Sequence, residues 1–226
     1  MFSEKSKVTD DKKNYIIYYP YPCYQFPKYT PETGYQTTSI DPGIKNFAIR
    51  IEKWYDNQSP QMIHFEKIDF RKYGLTNQHM SEIGTTGLNP QILSAATEFL
   101  TKILDLIKQS NIIIIERQLA VNYKSSRLFQ HIITFLCLYA PMFPVDCVIA
   151  DVNPKLKGKQ LKAPPNINKP GLKKWSVEKA CQILQDRNDI PSLRIMTLSK
   201  KKDDLSDTVI QMEAFMSLIT LKYVSS

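Results

Sequence analysis

The stretch SIDPGIKNFAIRIE, residues 39–52, decides the first part of the fold. A short strand ends at Asp41, because the Pro-Gly pair directly after this aspartate is a turn signal. Beyond the turn, Phe47, Ile49 and Ile51 alternate with other residues, and this period of two predicts a second strand. The stretch therefore predicts two strands joined by a turn, with an aspartate where the first strand ends.

The remainder of the chain alternates between strand-like and helix-like patterns. The run IIIIE, residues 112–116, is rich in β-branched side chains and predicts a strand buried on both faces of a sheet. The other predicted elements are a strand over Met62–Phe70, a helix from Asn89-Pro90 to about Gln109, a helix over Ser125–Tyr139, a strand over Val145–Ala150, and helices over Trp175–Arg187 and Asp204–Tyr223. This order predicts an α/β fold with a mixed five-stranded sheet flanked by helices.

The first 36 residues differ from the rest in composition and in hydrophobic pattern. The segment YIIYYPYPCYQFPKYTPETGY, residues 15–35, is rich in Tyr and Pro and keeps neither a helical nor a strand period for long. We predict that residues 1–36 form an irregular extension whose aromatic side chains pack on the core, and that residues 37–226 form one domain. Stacking of these aromatics on DNA bases is the alternative role.

Composition excludes several classes of protein. The chain has 226 residues, 42% hydrophobic and 23% charged, and its longest run of strongly apolar residues is far too short to cross a membrane. The four cysteines, Cys23, Cys137, Cys147 and Cys181, have no CxxC spacing, so neither a zinc site nor a disulfide framework is predicted. The N-terminus lacks the apolar segment of a secretory signal. We expect a protein of a reducing, cytoplasm-like compartment.

The formal charge of +8 is compatible with a polyanionic partner. Seven lysines and no acid lie between residues 155 and 174, a stretch that contains Pro164, Pro165 and Pro170 and directly follows Pro154. We predict an extended basic loop, because proline disfavours helix, and such a loop would contact DNA phosphates. A solvated loop without a partner is the alternative.

Four acids occupy positions where acids are unexpected: Asp41 and Glu116 end predicted strands, and Asp204 and Asp207 lie three apart near the start of the last helix. Singly, each has an ordinary explanation: Asp41 in a turn, Glu116 beside Arg117, and the pair at a helix dipole. If the two strands are parallel neighbours, however, all four converge at one edge of the sheet. Such a cluster repels itself unless divalent cations bind, and two Mg²⁺ ions there would support phosphodiester hydrolysis.

Four motifs together resemble the poxvirus and fungal mitochondrial Holliday junction resolvases, relatives of bacterial RuvC with an RNase H-like fold. The motifs are SIDPGIKNFAIRIE (39–52), IIIIERQ (112–118), KKWSVEKA (173–180) and KKDDLSDTV (201–209). The resemblance covers roughly residues 37–222, and residues 1–36 have no counterpart in it. It implies that Asp41, Glu116, Asp204 and Asp207 are the catalytic, metal-binding acids, and that Asp203 binds no metal.

The resemblance also implies an activity and its partners. It implies a homodimer that binds branched DNA, nicks two opposed strands of a four-way junction with Mg²⁺ or Mn²⁺, and acts in recombination and in the resolution of replicated genomes, including those of cytoplasmic DNA viruses. The residues predicted to contact DNA are Lys45, Arg117, Lys124, Lys155, Lys157, Lys159, Lys162, Lys173, Lys174 and Lys201. Apolar residues of the helix 125–139 are predicted to form either the dimer surface or part of the core; they are Phe129, Ile132, Ile133, Phe135, Leu136 and Tyr139.

Three other functions are weighed against this one. Actin-like ATPases and sugar kinases also begin with a strand that ends in Asp-x-Gly, but they need a second glycine-rich loop, which this sequence lacks after Gly87. A junction-binding protein without activity would not need all four acids. A nuclease acting on RNA–DNA hybrids, or an enzyme that integrates DNA, would share the fold, so the choice of substrate depends on the matched motifs.

Overall fold

In a computed structural model, the chain is described over residues 14–20, 34–55, 58–73, 89–119 and 121–224, with side chains to residue 219. Most of the predicted N-terminal extension, residues 1–13 and 21–33, lies outside the described residues. No described helix combines the length and the apolar character that a membrane span requires.

The described strands and helices alternate along the chain much as the sequence predicts. The strands are β1 (Tyr15–Tyr19), β2 (Tyr35–Asp41), β3 (Phe47–Trp54), β4 (Gln61–Ile68), β5 (Ile112–Glu116) and β6 (Val148–Val152). The helices are α1 (Pro90–Lys102), α2 (Leu104–Ile107), α3 (Tyr123–Tyr139), α4 (Leu156–Gln160), α5 (Lys169–Asp186), α6 (Ile190–Leu198) and α7 (Lys202–Val224), with a 3₁₀ turn at Ala140–Met142.

The described strands form one mixed sheet in the order β1-β6-β5-β2-β3-β4. β2, β5 and β6 are parallel neighbours, whereas β3 and β4 extend one edge as an antiparallel meander. All five predicted strands are present, and the predicted α/β class with a mixed sheet is confirmed. The parallel pairing of β2 with β5 brings the ends of these two strands, Asp41 and Glu116, to the same edge of the sheet.

The sheet has a sixth strand that the sequence analysis missed. β1 lies within the segment predicted to be irregular, and it pairs antiparallel with β6. The backbone N–H of Ile16 and the hydroxyl of Tyr18 both donate to the buried carboxylate of Asp151 on β6, at 3.1 Å each. The prediction that the aromatics pack on the core is confirmed for the described ones, since Tyr15 packs edge-on against Phe215.

Helices cover both faces of the sheet, and the isoleucine run of β5 alternates between them. Ile113 and Ile115 face the core formed with α1 and α3, while Ile112 and Ile114 face the core formed with α7. This confirms that β5 is buried on both sides. The apolar residues of α3 proposed above as a dimer surface lie in the first core, so their assignment to a dimer surface is wrong and the alternative, a role in the core, holds.

Two helices begin after an asparagine cap with a proline in the first turn, and only the first of these two starts was predicted. Asn89 caps α1 by accepting from the Gln91 N–H, with Pro90 at the first position, as predicted. Asn168 caps α5 in the same way, accepting from the Gly171 N–H, with Pro170 in the first turn. The predicted extended loop is therefore wrong: α4 and the start of α5 occupy much of it, because proline in a first turn removes no helical hydrogen bond.

A buried network of charges joins β3 to the turn between α5 and α6. Arg50 is fully buried, and its guanidinium donates to Glu52 at 2.7 Å, to Asp189 at 2.8 Å and to Ser192 at 2.8 Å. Arg187 lies over the ring of Trp54 and also contacts Glu52. Because every charge in this network is desolvated, each depends on its partners for compensation.

We therefore expect Arg50→Met to lower the free energy of unfolding by about 3–5 kcal/mol, since Asp189 would lose its guanidinium partner and Glu52 would keep only the longer contact with Arg187. Urea unfolding at neutral pH measures the change. Arg71→Met is the matched control, because Arg71 pairs with Asp69 near the surface and should change stability by less than about 1 kcal/mol. Equal losses for the two variants would contradict a special role for the buried network.

Candidate active site

The carboxylates of Asp41 and Glu116 lie at the carboxyl edge of the central parallel strands. Ile40 of β2 is in register with Ile115 of β5, so the residue after each isoleucine reaches the same level. The predicted convergence of these two acids is therefore confirmed by the sheet register. In an α/β sheet, this edge is where strand ends and the following loops form binding sites.

Helix α7 brings the other two predicted acids to this edge. Asp204 and Asp207 lie in its first two turns, and the helix is fixed on β2 immediately beside Asp41. The Ser39 hydroxyl donates to the Thr208 carbonyl at 2.7 Å, and the Gln211 amide donates to the Ser39 hydroxyl at 2.7 Å and to the Ile40 carbonyl at 3.0 Å. These buried bonds set the position of α7 along the strand.

A lysine that the sequence analysis assigned to DNA lies inside the acidic cluster. The Lys157 ammonium contacts a carboxylate oxygen of Glu116 at 2.7 Å and one of Asp207 at 2.9 Å. The residue is only 8% exposed, on the short helix α4. Its pKa is raised because Glu116, Asp207 and Asp41 surround the ammonium and together outweigh the burial that opposes its charge. In the structure Lys157 thus contacts two of the acids, and its role as a phosphate contact stays a prediction.

Burial and mutual repulsion disfavour the ionised carboxylates of this cluster. Burial is the largest cause that raises the pKa of Asp41 well above its usual value, and Glu116 and Asp207 add to the rise. Burial likewise raises the pKa of Asp207, against the nearby Lys157. Burial, together with Asp203, raises the pKa of Asp204 to about 6. The cluster therefore holds more negative charge than its protein surroundings compensate.

Two carboxylate oxygen atoms show where the negative charge of the cluster lacks a partner. Among the described residues, Oδ2 of Asp204 and Oδ1 of Asp207 are buried and have no hydrogen-bond partner. Carboxylate oxygens of this kind are the ligands that Mg²⁺ and Mn²⁺ prefer, so the chemistry of the cluster fits a divalent ion. In the described part of the chain, however, no three acidic, His or Cys side chains are grouped as a ready ligand set. The ammonium of Lys157 lies between two of the acids instead.

A groove of about 520 Å³ opens beside the acids, and five of its thirteen lining residues are lysines. Glu116, Asp203 and Asp207 lie on its acidic side. Its basic residues are Lys155, Lys157, Lys159, Lys169 and Lys173. Asp203 pairs with Lys173, and its lack of a metal-binding role stays a prediction. A lysine-lined groove that ends at a carboxylate cluster fits a phosphodiester backbone with one phosphate at the acids.

The predicted DNA-contacting residues divide into two groups in the structure. Lys155, Lys159 and Lys173 line the groove, and their contact with DNA stays a prediction. Arg117 does not face solvent freely: its guanidinium donates to the buried carboxylate of Asp151 at 2.9 Å. This ion pair holds Arg117 next to Glu116, and it explains the position of the side chain without a contact to DNA.

The other predicted contacts lie outside the groove lining. Lys174 is on the exposed side of α5 beside Glu178, and the Lys201 carbonyl accepts from Lys67 on β4. Lys45 and Lys162 are exposed, and Lys124 is half-buried at the start of α3. Their roles remain predictions.

Sequence reasoning missed three residues that build this site: Lys169 in the groove wall, Gln211 in the α7 anchor, and Lys157 as a partner of the acids. Gln211 offered a usable signal, because a glutamine among apolar residues of a buried helix needs a specific partner. Lys157 offered none, since it lies in a run of surface-like lysines.

Comparison with known families bears on the geometry just described. Residues 37–120, which contain β2 to β5 with Asp41 and Glu116, match the family model described as "Mitochondrial resolvase Ydc2 / RNA splicing MRS1". The resolvase match ends before Asp204 and Asp207, and it excludes β1.

One curated viral protein is similar to about half of this chain. A protein of Invertebrate iridescent virus 3, "Uncharacterized protein 97L", is 31% identical over 105 residues, which are 46% of this chain and 47% of the viral protein. The aligned part thus spans about half of that relative's length.

The solved structures support the fold over a longer range than the family match. The yeast mitochondrial Holliday junction resolvase Ydc2 aligns with a TM-score of 0.56 at 13% identity, covering 86% of this chain and 83% of that one. The Fowlpox virus resolvase, solved with Holliday junction DNA, aligns with a TM-score of 0.51 at 19% identity, covering 81% and 99%. Both likenesses show a shared fold over more than four fifths of this chain.

Proposed function

We propose that this chain is a metal-dependent endonuclease that resolves four-way DNA junctions. The observation that carries the proposal is the convergence of Asp41, Glu116, Asp204 and Asp207 from two strands and one helix, beside a groove that Glu116 and Asp207 line together with five lysines. The family match of residues 37–120 and the fold shared with junction resolvases support the choice of substrate.

The four acids would hold the divalent ions, for which we propose Mg²⁺ in the cell and Mn²⁺ as a substitute. When bound, such ions supply a Lewis acid for the phosphate and an activated water for the attack. The protein provides the ligand oxygens, and the buried strand ends keep those oxygens in place. Lys155, Lys159, Lys169 and Lys173 would bind phosphates on the approach to the scissile one.

We further propose that the active form is a homodimer that nicks two opposed strands, in recombination or in the resolution of replicated viral genomes. One chain carries one acidic cluster, while a four-way junction offers two equivalent scissile phosphates, so two-fold symmetry matches enzyme to substrate. A relative from an iridescent virus supports a viral setting. We also propose that the protein acts in the cytoplasm, where Cys137, Cys147 and Cys181 would stay free, as they are in the structure.

A supercoiled plasmid with an extruded cruciform tests the proposal. With Mg²⁺, paired nicks across the junction give linear DNA, whereas unpaired nicks give open circles. We expect linear product from the cruciform plasmid, none in EDTA, and none from a plasmid without the inverted repeat. Equal cleavage of both plasmids would contradict junction specificity, and open circles alone would contradict paired cleavage by a dimer.

A second candidate function is junction or RNA binding without cleavage, since the description of the matched family also names an RNA splicing protein. The presence of all four acids favours a nuclease over such a protein. Binding of the cruciform without any product in Mg²⁺ or Mn²⁺ would favour this candidate.

A further inference from the structure

The position of Lys157 is unusual for a lysine in a basic segment. Its ammonium bridges Glu116 on β5 and Asp207 on α7, two acids that come from different parts of the sequence. Neighbouring Lys155 and Lys159 are exposed, so the chain turns one lysine of three inward. Burying a lysine has a free-energy cost that only close carboxylates offset.

The charges explain why a lysine is needed and why one is not enough. Asp41, Glu116, Asp204 and Asp207 carry up to four negative charges, and Lys157 supplies one positive charge among them. Buried oxygens of Asp204 and Asp207 still lack partners. The ammonium therefore compensates the cluster in part, at a place between two acids where a divalent ion would bring more charge and more contacts.

Lys157 also has a route out of the cluster. The residue lines the groove as well as the acids, so its side chain lies at the boundary between them. Its helix α4 is fixed by Leu156, which is buried in the core against β6 and α7. The flexible four-carbon stem of lysine lets the ammonium swing into the groove while the helix backbone stays in place.

We propose that Lys157 is a resident counter-cation that exchanges with the divalent ion. In the metal-free protein it holds Glu116 and Asp207 together, and when metal binds its ammonium moves into the groove, where it adds one positive charge to the surface that meets DNA phosphates. The inference rests on the proposed function, because it requires that the acids bind a divalent ion.

Acetylation of lysines by an amine-reactive ester, followed by mass spectrometry, tests the exchange on the intact wild-type protein without DNA. In EDTA, Lys157 should react slowly; in saturating Mg²⁺ its rate should rise by about tenfold or more, because a buried, paired amine must open before it reacts. Lys174 is the reference, since its side chain is 79% exposed and should react equally in both conditions. Four-way junction DNA added with Mg²⁺, at a temperature too low for turnover, should protect Lys157 again.

Calorimetry of Mg²⁺ binding to the same protein separates the two ways to fail. If Mg²⁺ binds and the acetylation of Lys157 does not change, the exchange is wrong while the proposed nuclease stands. If Mg²⁺ does not bind, both the metal-dependent function and the exchange are overturned.

The variant Lys157→Met gives a second readout that does not depend on activity. In EDTA, its Tm should be several degrees below that of the wild type, because Glu116 and Asp207 lose their only compensating ammonium among the described contacts. In saturating Mg²⁺ the two proteins should melt at similar temperatures, since the lysine no longer takes part in the cluster. A difference in Tm that persists unchanged in Mg²⁺ would mean that Lys157 stays in place beside the ion, and would overturn the exchange.

Discussion

Neutralising Asp41, Glu116 or Asp207 should reduce junction cleavage by at least about a hundredfold while leaving junction binding intact. Asp41→Asn, Glu116→Gln and Asp207→Asn keep the shape of each side chain and remove the charge that would hold a divalent ion. Binding should persist because these changes lessen the repulsion between the cluster and DNA. Single-turnover cleavage and a gel-shift titration in Ca²⁺ measure the two effects separately.

Adjacent residues of α7 supply a matched control for this prediction. Asp203 pairs with Lys173 at the surface, whereas Asp204 has a buried oxygen without a partner. Asp203→Asn should therefore change cleavage by only a few fold, while Asp204→Asn should behave like the other cluster variants. Full cleavage by Asp207→Asn, or equal losses for Asp203→Asn and Asp204→Asn, would contradict the assignment of the site.

The second large effect should come from the groove. Replacing Lys155, Lys159, Lys169 and Lys173 together with Ala removes four charges from one continuous surface. If each contacts one phosphate, the slope of log affinity against log salt should fall by about 3.6. Because the wild type then loses affinity more steeply with salt, the difference between the two proteins should be largest at low salt.

Fluorescence anisotropy with a labelled four-way junction, at several salt concentrations, measures this slope. The pairs Lys155/Lys159 and Lys169/Lys173 should each give about half of the effect, since the contacts are separate. Lys102 and Lys108 lie on α1 and directly after α2, on the side of the sheet away from the groove, so their double replacement is the control. An unchanged slope in the quadruple variant would show that DNA does not pass through the groove.

The acids of the site could be predicted because the free-energy cost of burying each carboxylate can be inferred from its neighbours in the sequence. A carboxylate that follows four isoleucines, or that ends a buried strand, needs a partner or a bound cation to offset its burial. The parallel pairing of β2 and β5 follows from the α/β order, so the meeting of Asp41 with Glu116 could be predicted as well. The same motifs carried the resemblance that the family match over residues 37–120 bears out.

What the sequence could not predict depends on contacts between distant segments. Lys157 and Glu116 are 41 residues apart, and no local pattern distinguishes this lysine from its exposed neighbours. β1 escaped notice because its pairing with β6 depends on Asp151, which binds Ile16 across 135 positions of the chain. The error over α4 and α5 was of another kind: Pro170 was taken as a helix breaker, although the asparagine cap before it marks a helix start.

The place of β1 at the far edge of the sheet has a consequence for synthesis on the ribosome. β1 is translated before every other described strand, yet its partner β6 follows more than 130 positions later. At about 5–20 residues per second, the delay between the two is roughly 7–27 seconds. The other five strands can pair during or just after that interval, whereas β1 must wait near the growing domain without its partner strand. Slower translation of the middle of the message would lengthen the time during which chaperones and proteases can reach the unpaired β1.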